Sequence, residues 1–238
     1  MSVSTSKDPA RIAGMFDAIA RRYDTLNHLL SAGLDRRWRR RAVRALDLKG
    51  EERVVDVCTG TGDLAIEAVA GRFGRAREVV GIDFAGEMLR LGLEKVRRTG
   101  LGGRVRFVRG DATRLPLPDA SFDAATIGFG IRNVLDPEAG CRDVARVLRP
   151  GGQLAILEFG EPWIPGVRSL YRAYFRHVLP RVGRAVSKHG EAYDYLPASV
   201  ANFPRPDAFA EVIRRAGFAE VSYELLATGI VCLYIARK

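Results

Sequence analysis

Apolar and polar residues alternate along the chain in two different rhythms. Short apolar runs rich in valine and isoleucine predict buried strands, whereas stretches in which apolar residues recur every three or four positions predict amphipathic helices. Strands are expected at 54–57, 79–83, 105–108, 122–127 and 153–158, and a closing hairpin at 221–226 and 230–236. Because helical stretches separate the strands, the pattern predicts one open, doubly wound α/β sheet.

Helices are expected between these strands and ahead of them. The predicted helices lie at 63–70, around 89–96, from Asp136 through Leu148, and at 206–217. In the N-terminal segment 1–48, apolar positions from Ile12 to Tyr23 share one helical face. Breaks are predicted at 23–27 and at 31–33, followed by a second helix that begins near Asp35. These N-terminal helices are expected to cap one edge of the sheet.

The segment 160–206 is too long and too rich in aromatic residues for a plain connection. We expect a helical insertion that forms an apolar lid. One of its helices would be lined by Tyr171, Tyr174, Phe175, Val178 and Leu179, and another by Tyr193, Tyr195, Leu196 and Val200. For any single side chain of this set, ordinary packing into the core is the alternative interpretation.

The composition is that of an ordinary globular chain. The 238 residues are 47% hydrophobic and 28% charged, which suits a single α/β domain spanning 1–238. No apolar run approaches the roughly 18 to 20 residues of a membrane span and no signal peptide opens the sequence, so a cytoplasmic location is expected. Cys58, Cys141 and Cys232 have spacings unlike those of a metal site, so reduced thiols and no bound metal are expected.

The formal net charge of +10 comes almost entirely from arginine and is concentrated near the N-terminus. The run from Arg36 to Arg41 places five arginines around Trp38, a composition suited to a phosphate-rich surface. Three interpretations stay open: a solvated helix face, an anionic membrane surface, or nucleic acid. Because no RNA-binding motif accompanies the charge, no nucleic-acid partner is expected.

The stretch from Val54 to Leu64, VVDVCTGTGDL, leads from a buried strand through a glycine-rich turn into a helix. Gly60 and Gly62 let the backbone turn tightly and approach a ligand without a Cβ in the way. A strand, a glycine turn and a helix N-terminus form the nucleotide-binding corner of an open α/β sheet. The alternative is an ordinary strand-to-helix turn, since short glycine patterns recur widely.

The charges around this turn favour one kind of ligand. The glycines also fit a dinucleotide fingerprint, but Asp56 at the end of the strand and Asp63 in the first helical turn would face a diphosphate with carboxylates. S-adenosylmethionine brings an ammonium and a sulfonium group, which carboxylates attract. Asp83 ends the next strand, where an acidic side chain can accept both ribose hydroxyls; a plain helix N-cap is its alternative role.

Two later turns add candidates at the carboxyl ends of strands, where ligands bind in such sheets. Asp111, followed by Ala112, can project towards an adenine amino group, although aspartate is also common in turns on local grounds. After the fourth strand, the segment GFGIRN brings Gly128, Arg132 and Asn133 to the same edge. The adjacent arginine and asparagine indicate a site or, equally, a surface pair.

Four longer motifs carry a resemblance to a known family. They are YDTLNHLLSAGLDRRW (Tyr23 to Trp38), IGFGIRNV (Ile127 to Val134), RVLRPGGQLAILEF (Arg146 to Phe159) and EAYDYLPASVANFP (Glu191 to Pro204). With them, the chain resembles the ubiquinone and menaquinone C-methyltransferase family, a branch of the class I S-adenosylmethionine methyltransferases. The resemblance implies a Rossmann-like, doubly wound sheet of seven strands with the last strand antiparallel.

The resemblance also implies an activity and a set of site residues. The reaction would be methylation of a ring carbon in a polyprenylated quinol, demethylmenaquinol first and 2-methoxy-6-polyprenyl-1,4-benzoquinol as the alternative. The residues that would contact S-adenosylmethionine are Thr61, Asp83, Asp111 and Ala112, and those that would serve the chemistry are Arg132 and Asn133. Three positions depart from the family pattern: Gly128 and Gly160 replace common serines and Asp35 replaces a usual histidine.

The expected chemistry follows from charge. A quinol ring carbon becomes nucleophilic when a hydroxyl loses its proton, and Arg132 would stabilise the resulting phenolate while Asn133 holds a water or a ring oxygen. Because arginine is a poor base, the proton acceptor stays open. The candidates for it are Tyr193, Tyr195, His177 and His189.

A polyprenylated substrate agrees with the membrane interpretation of the arginine run, so peripheral attachment to an anionic bilayer is expected. A second copy of the chain, or another enzyme of quinone synthesis, stays open as a partner. An NAD-dependent oxidoreductase that uses the same glycine turn and a basic binding module without catalysis are the rival classes.

Overall fold

The computed structural model describes residues 7–174 and 191–238, and seven strands in this part of the chain form one sheet. The strands are β1 Arg53–Val57, β2 Glu78–Asp83, β3 Val105–Arg109, β4 Phe122–Gly128, β5 Leu148–Phe159, β6 Glu220–Leu226 and β7 Val231–Arg237. Their order is β3-β2-β1-β4-β5-β7-β6. β7 is antiparallel to both of its neighbours, β5 and β6, whereas the pairs among β1 to β5 are parallel, which confirms the predicted doubly wound sheet with an antiparallel last strand.

The order of the sheet reverses between β1 and β4. From β1 the chain moves outward through β2 to β3, and it then returns to place β4 on the other side of β1. In such sheets a crevice forms at the carboxyl ends of the two strands where the direction of winding reverses. The glycine turn that follows β1 and the GFGIRN segment that follows β4 therefore face each other across this crevice.

The described helices flank the sheet and its N-terminal side. They are α1 Pro9–Leu30, α2 Leu34–Ala45, α3 Asp63–Ala70, α4 Gly86–Arg98, α5 Pro137–Val147, α6 Pro165–Ala173, α7 Glu191–Ala201 and α8 Pro206–Arg215. Among the described residues, no helix combines the length and the apolar character required to cross a membrane.

The sheet is covered on both faces, which explains its nearly continuous apolar strands. Val55 and Val57 of β1 point to the face packed by α5 and α8, whereas Val54 points to the face packed by α2, α3 and α4. The N-terminal helix α1 forms a separate apolar cluster with Tyr195 of α7. The N-terminal helices and the helices of the 160–206 insertion therefore meet above the carboxyl edge of the sheet.

The predicted helix break at 23–27 is wrong, because α1 continues to Leu30. Leu26 is only 1% exposed and packs with Met15 and Ile19, so burial overrides the weak local helix propensity of this stretch. The predicted break at 31–33 is confirmed, and Gly33 has a φ of +77° there. The predicted second helix is confirmed and begins at Leu34.

The predicted helix through Leu148 is also wrong at its end. α5 stops at Val147, and Leu148 opens β5 by pairing with Phe122. The register then shifts, so that Gln153 pairs with Ala124 and the residues 149–152 form an irregularity within the strand. A glycine with φ of +78° at Gly151 permits this bulge, which a helical pattern read along the chain does not reveal.

Two helices of the predicted lid, α6 and α7, belong to the described part of the insertion. The lid residues Phe175, Val178 and Leu179 and the candidate proton acceptors His177 and His189 lie outside the described residues. For Tyr193 the structure describes only the position on α7, not the side chain.

Candidate active site

The glycine turn between β1 and α3 has a backbone conformation that favours glycine. Gly60 and Gly62 have φ angles of +55° and +79°, both in the left-handed region. A Cβ on Gly62 would lie 2.5 Å from Phe107 Cζ, whereas a Cβ on Gly60 would meet nothing within 4 Å. Gly62 is therefore required for packing under the turn, and Gly60 leaves space above it for a ligand.

Asp83, at the end of β2, is fastened to this turn through backbone hydrogen bonds. Its Oδ2 accepts from Gly60 N at 2.7 Å, and its Oδ1 accepts from Ala85 N at 2.9 Å. Burial raises the pKa of the carboxyl group above its ordinary value. The residue that caps α4 is Ala85, not Asp83. Each carboxylate oxygen can accept a further hydrogen bond from a ligand, because each has more than one lone pair.

A cavity of about 280 Å³, the turn cavity, opens beside the glycine turn. Six of the ten predicted site residues line it: Gly60, Asp83, Asp111, Ala112, Gly128 and Asn133. The side-chain oxygen of Asn133 is buried and has no hydrogen-bond partner in the described part of the chain. An unpaired buried acceptor on a cavity wall indicates a ligand donor at that position.

Asp111 organises its own turn and also lies on the wall of the turn cavity. Its Oδ1 accepts hydrogen bonds from the backbone N and from the Oγ1 of Thr113, each at 2.8 Å, so it organises the turn after β3. It also lines the turn cavity together with Ala112. The other carboxylate oxygen takes no part in these two bonds and is the one suited to a ligand.

Three predicted contact residues, Asp56, Thr61 and Gly62, do not line the turn cavity. Asp56 is 1% exposed and accepts hydrogen bonds from Thr59 Oγ1 at 2.5 Å and Thr126 Oγ1 at 2.7 Å. Burial raises its pKa to about 6. These contacts tie the turn to β4, so the described role of Asp56 is to support the turn.

Thr61 turns towards the N-terminal helices. Its hydroxyl donates to Asp24 Oδ1 at 2.6 Å and accepts from Lys95 Nζ at 3.0 Å. Lys95 also forms ion pairs with Asp24 and Asp63, each at 2.6 Å. This network connects α1 to the start of α3, and neither Asp24 nor Lys95 was selected from the sequence.

The sequence assigned the attraction of a cationic ligand to Asp56 and Asp63, but other acidic residues face the cavity. Asp63 is neutralised by Lys95 and by Arg39, whose Nη2 lies 3.1 Å from Asp63 Oδ2, and neither Asp63 nor Asp56 lines the turn cavity. The acidic residues that do line the cavity are Asp83, Asp111 and Asp136. The negative charge next to the turn is present, but later strands supply it.

A second and larger cavity of about 650 Å³, the apolar chamber, adjoins the first. Its wall comes from α1, the start of α2, α6 and α7, and it consists mainly of aliphatic and aromatic side chains. Phe16, Tyr23 and Phe129 line both cavities. The turn cavity and the apolar chamber therefore meet at these three side chains, which the sequence marked only as helix-face or turn residues.

Phe129 is held at this boundary in an uncommon conformation. Its φ is +58°, and its ring packs against Phe159 with centroids 4.6 Å apart and against Trp38 at 6.1 Å. The neighbouring Gly130 has no room for a side chain, because a Cβ there would lie 2.2 Å from Cys58 Cβ. Strained non-glycine residues of this kind persist where the surroundings fix them, and they are frequent in active sites.

Arg132 lies on the wall of the apolar chamber, but it is not a free cation. Its Nη1 is 2.8 Å from Glu158 Oε1, its Nε donates to Ser199 Oγ at 3.3 Å, and Nη1 also donates to the carbonyl of Phe129. Arg132 is 5% exposed and Glu158 is fully buried. The sequence did not select Glu158, although an acidic residue inside the apolar run QLAILEF was a signal for such a pair.

The antiparallel seventh strand, the glycine turn and the carboxylate at the end of β2 are features of doubly wound methyltransferases, and the class of this chain follows from its sequence family. The chain belongs to the ubiE/COQ5 methyltransferase family, whose sequence model matches residues 4–238. This confirms the resemblance stated from the four motifs.

Two relatives illustrate the family. The chain is 46% identical over 233 residues to the ubiquinone/menaquinone biosynthesis C-methyltransferase UbiE of a Geobacter species, covering 98% of both chains. It is 47% identical over 224 residues to the demethylmenaquinone methyltransferase of Thermus thermophilus, covering 94% of this chain and all of the relative.

Solved structures agree on the fold. The [4+2]-cyclase SpnF superposes with a TM-score of 0.70 at 20% identity and covers 95% of this chain and 94% of its own. A SAM-dependent methyltransferase from Thermotoga maritima gives 0.66 at 21% identity, covering 94% of this chain and 99% of its own. Since one neighbour is a cyclase, the fold alone does not define the reaction.

Proposed function

We propose that this chain methylates a ring carbon of a polyprenylated quinol, with demethylmenaquinol as the acceptor and the 2-methoxy-6-polyprenyl benzoquinol of the ubiquinone pathway as the alternative. The chain is a methyltransferase that uses S-adenosyl-L-methionine. The observation that supports the substrate class is the junction of the two cavities at Phe16, Tyr23 and Phe129. A small cavity lined by three carboxylates, Asp83, Asp111 and Asp136, suits the cofactor, and the larger apolar chamber suits a prenylated ring.

The residues of the turn cavity fit the cofactor. Asp83 is fixed by two backbone N–H groups and can accept the ribose hydroxyls, while the space above Gly60 allows close approach of the ligand to the backbone. Asp111 and Ala112 lie on the part of the wall that suits the adenine. The unpaired oxygen of Asn133 can accept from the ammonium group or from a bound water. When bound, the cofactor supplies an electrophilic methyl group on a sulfonium.

The chain's own residues then act on the quinol. Loss of a hydroxyl proton makes the ring carbon nucleophilic, and Arg132 on the chamber wall can donate N–H groups that stabilise the oxyanion. Because Glu158 neutralises the guanidinium, the stabilisation comes from directed N–H groups held rigidly and not from a net positive charge. In each turnover the methyl carbon would exchange its bond to sulfur for a bond to the ring carbon. The ring carbon then loses its hydrogen as a proton and the hydroxyl is regenerated, so one proton net must leave the site.

The direct test is methyl transfer by the purified protein from labelled S-adenosylmethionine to short-chain quinols. We expect label in methylated demethylmenaquinol, with less or none in the benzoquinol, and S-adenosylhomocysteine as the second product. Binding of NAD without binding of S-adenosylhomocysteine would support the oxidoreductase alternative instead. Binding of S-adenosylhomocysteine with no methylation of either quinol would refute the proposed acceptor.

We further propose that the face around the mouth of the apolar chamber rests on an anionic membrane. Leu170 lines the chamber and yet is 72% exposed, Leu29 is 61% exposed, and Trp163 at the start of the same insertion is 66% exposed. The Tyr174 hydroxyl donates to the carbonyl of Leu30 at 3.3 Å, so the end of α6 adjoins the end of α1. No described residue of α6 is buried, as expected for a helix that contacts lipid.

Some arginines of the run from Arg36 to Arg41 form ion pairs within the protein, and others are exposed without an ion pair in the described residues. Arg39 pairs with Asp35 and Asp63, Arg40 lies 3.8 Å from Glu67, and Arg41 lies 2.6 Å from Glu224. Arg36 and Arg37 are exposed and form no ion pair within residues 7–174 and 191–238. They lie in the first turn of α2, a few residues after Leu29, where they can attract anionic headgroups next to the apolar rim.

A further inference from the structure

A third cavity of about 290 Å³, the rear cavity, adjoins the apolar chamber. Lys7, Ser199 and Asn202 give it polar groups. Two side chains, Arg132 and Tyr195, line both the rear cavity and the apolar chamber. Together these two side chains form the wall between the chamber and a more polar space.

Tyr195 is buried on this wall with its hydroxyl unsatisfied. The residue is 2% exposed, and its hydroxyl oxygen has no hydrogen-bond partner in the part of the chain that the structure describes. A buried polar group without a partner is destabilising, so such a group on a cavity wall points to a bound molecule that supplies the partner. Tyr234 has the same exposure, but its hydroxyl has Cys232 as a hydrogen-bond partner.

The ring of Tyr195 is fixed by its neighbours. It packs against Met15, Ile19 and Leu26 of α1, and the guanidinium of Arg11 lies over the ring at 6.0 Å. One turn further along α7, Ser199 accepts the hydrogen bond from Arg132 Nε. A single helix therefore presents the Tyr195 hydroxyl and positions the Arg132 guanidinium at the same wall.

Burial also defines which hydrogen-bonding role this hydroxyl can take. Burial raises the pKa of Tyr195 above its ordinary value, so the phenol stays protonated at neutral pH. A phenol that stays protonated is not available as a general base, but it has an O–H group that can donate to an oxyanion. The donor role is thus favoured over the proton-acceptor role that the sequence left open.

We propose that the Tyr195 hydroxyl donates a hydrogen bond to an oxygen of the bound quinol and, opposite the Arg132 guanidinium, fixes which ring carbon faces the turn cavity. This inference rests on the proposed quinol substrate. Tyr195 is then a substrate-contacting residue that acts on orientation, and its partner in the free enzyme is at most a water.

The test is Tyr195→Phe, which removes only the hydroxyl oxygen. Because no described group loses a partner, we expect the melting temperature to stay the same or to rise. Affinity for S-adenosylhomocysteine should be unchanged, whereas kcat/KM for the short-chain quinol should fall by roughly ten- to a hundredfold, the range for a hydrogen bond to a charged group. Tyr223→Phe is the matched control, since the exposed Tyr223 hydroxyl donates to Asp207 far from the cavities.

Each outcome decides the inference. A lower kcat/KM with retained stability and cofactor affinity supports it. Wild-type kcat/KM in Tyr195→Phe overturns it and assigns the hydroxyl to water alone, and a loss of activity that follows a loss of melting temperature overturns it in favour of a packing role. If the wild-type protein itself binds S-adenosylhomocysteine but methylates no quinol, the proposed function fails independently of Tyr195.

Discussion

Arg132 and Glu158 form a buried ion pair, with Nη1 and Oε1 2.8 Å apart, on the wall between the apolar chamber and the sheet. Glu158 also accepts from the backbone N of Arg132 at 3.1 Å, so the carboxylate fixes both ends of the residue. The pair connects β5 to the segment after β4. Any change at Arg132 therefore alters the electrostatics of β5 as well as the substrate chamber.

For this pair we expect Arg132→Ala to reduce both turnover and stability. Turnover should fall by roughly a hundredfold or more because the oxyanion donor is lost, and the free energy of unfolding should fall by about 3–5 kcal/mol because Glu158 stays buried without its partner. Arg132→Lys should lose less turnover and less unfolding free energy than Arg132→Ala. Single-turnover methyl transfer and denaturant unfolding measure the two effects.

A double variant separates the two contributions. Arg132→Ala combined with Glu158→Gln removes the unpaired charge, so it should recover part of the stability but none of the turnover. Equal recovery of both quantities would mean that Arg132 acts only through folding. Cofactor titration should give near wild-type affinity in every folded variant.

The second prediction concerns Asp83. Asp83→Ala should weaken S-adenosylhomocysteine binding at least tenfold, because hydrogen bonds from ribose hydroxyls to a charged acceptor are worth roughly 1.5–3 kcal/mol each. Isothermal titration on folded protein checks this. The matched control is Asp63→Ala, which also removes a carboxylate near the turn but does not line the turn cavity. Equal losses in the two variants would contradict a specific ribose contact.

The third prediction is a pH dependence at Asp56. Its carboxyl pKa is about 6 in the folded chain and about 4 when unfolded, so the folded state binds the proton more tightly. Its contribution to stability is therefore complete below pH 4 and is lost as the pH rises through 6. Compared with Asp56→Asn, the wild-type protein should lose up to about 3 kcal/mol of unfolding free energy between these limits.

Urea unfolding of the wild-type protein and Asp56→Asn at pH 4.5, 5.5 and 7.5 measures this difference directly. Parallel pH profiles for the two proteins would show that Asp56 keeps an ordinary pKa in the folded state. The comparison between variants cancels the contributions of the other titrating groups, provided that they do not interact with Asp56.

The fourth prediction concerns the membrane face. Replacing Arg36 and Arg37 with glutamine should reduce binding to anionic vesicles at least tenfold, since basic residues near such a surface contribute about 1 kcal/mol each. The same change at Arg40 and Arg41 is the control, and it should have less effect because those side chains pair with Glu67 and Glu224. Sedimentation with anionic and neutral vesicles, at low and high salt, distinguishes the variants.

Equal binding of the wild-type protein to neutral and anionic vesicles would remove the electrostatic part of this proposal. Leu170→Ser tests the apolar part separately, because Leu170 is the most exposed large apolar side chain on the chamber wall. Wild-type vesicle affinity in Leu170→Ser would show that α6 does not contact lipid.

The sequence by itself determined the sheet, the glycine turn and the carboxylate of Asp83. These features depend on local properties: the period of apolar residues, the left-handed backbone at Gly60 and Gly62, and the end of a strand as the place for Asp83. The carboxyl ends of parallel strands lie along one edge, so Asp83, Asp111 and Asn133 were predicted to converge without knowledge of any contact.

Only the tertiary structure decided which predicted residues reach a cavity and which carry a free charge. Asp56 and Thr61 are turned away from the turn cavity by partners 70 and 37 positions away, and Arg132 is neutralised by Glu158, 26 positions further along the chain. The helix break expected at 23–27 disappears because Leu26 is buried by packing within the N-terminal cluster. These outcomes depend on contacts between distant segments, and side-chain orientation and charge pairing are fixed only once those segments are packed together.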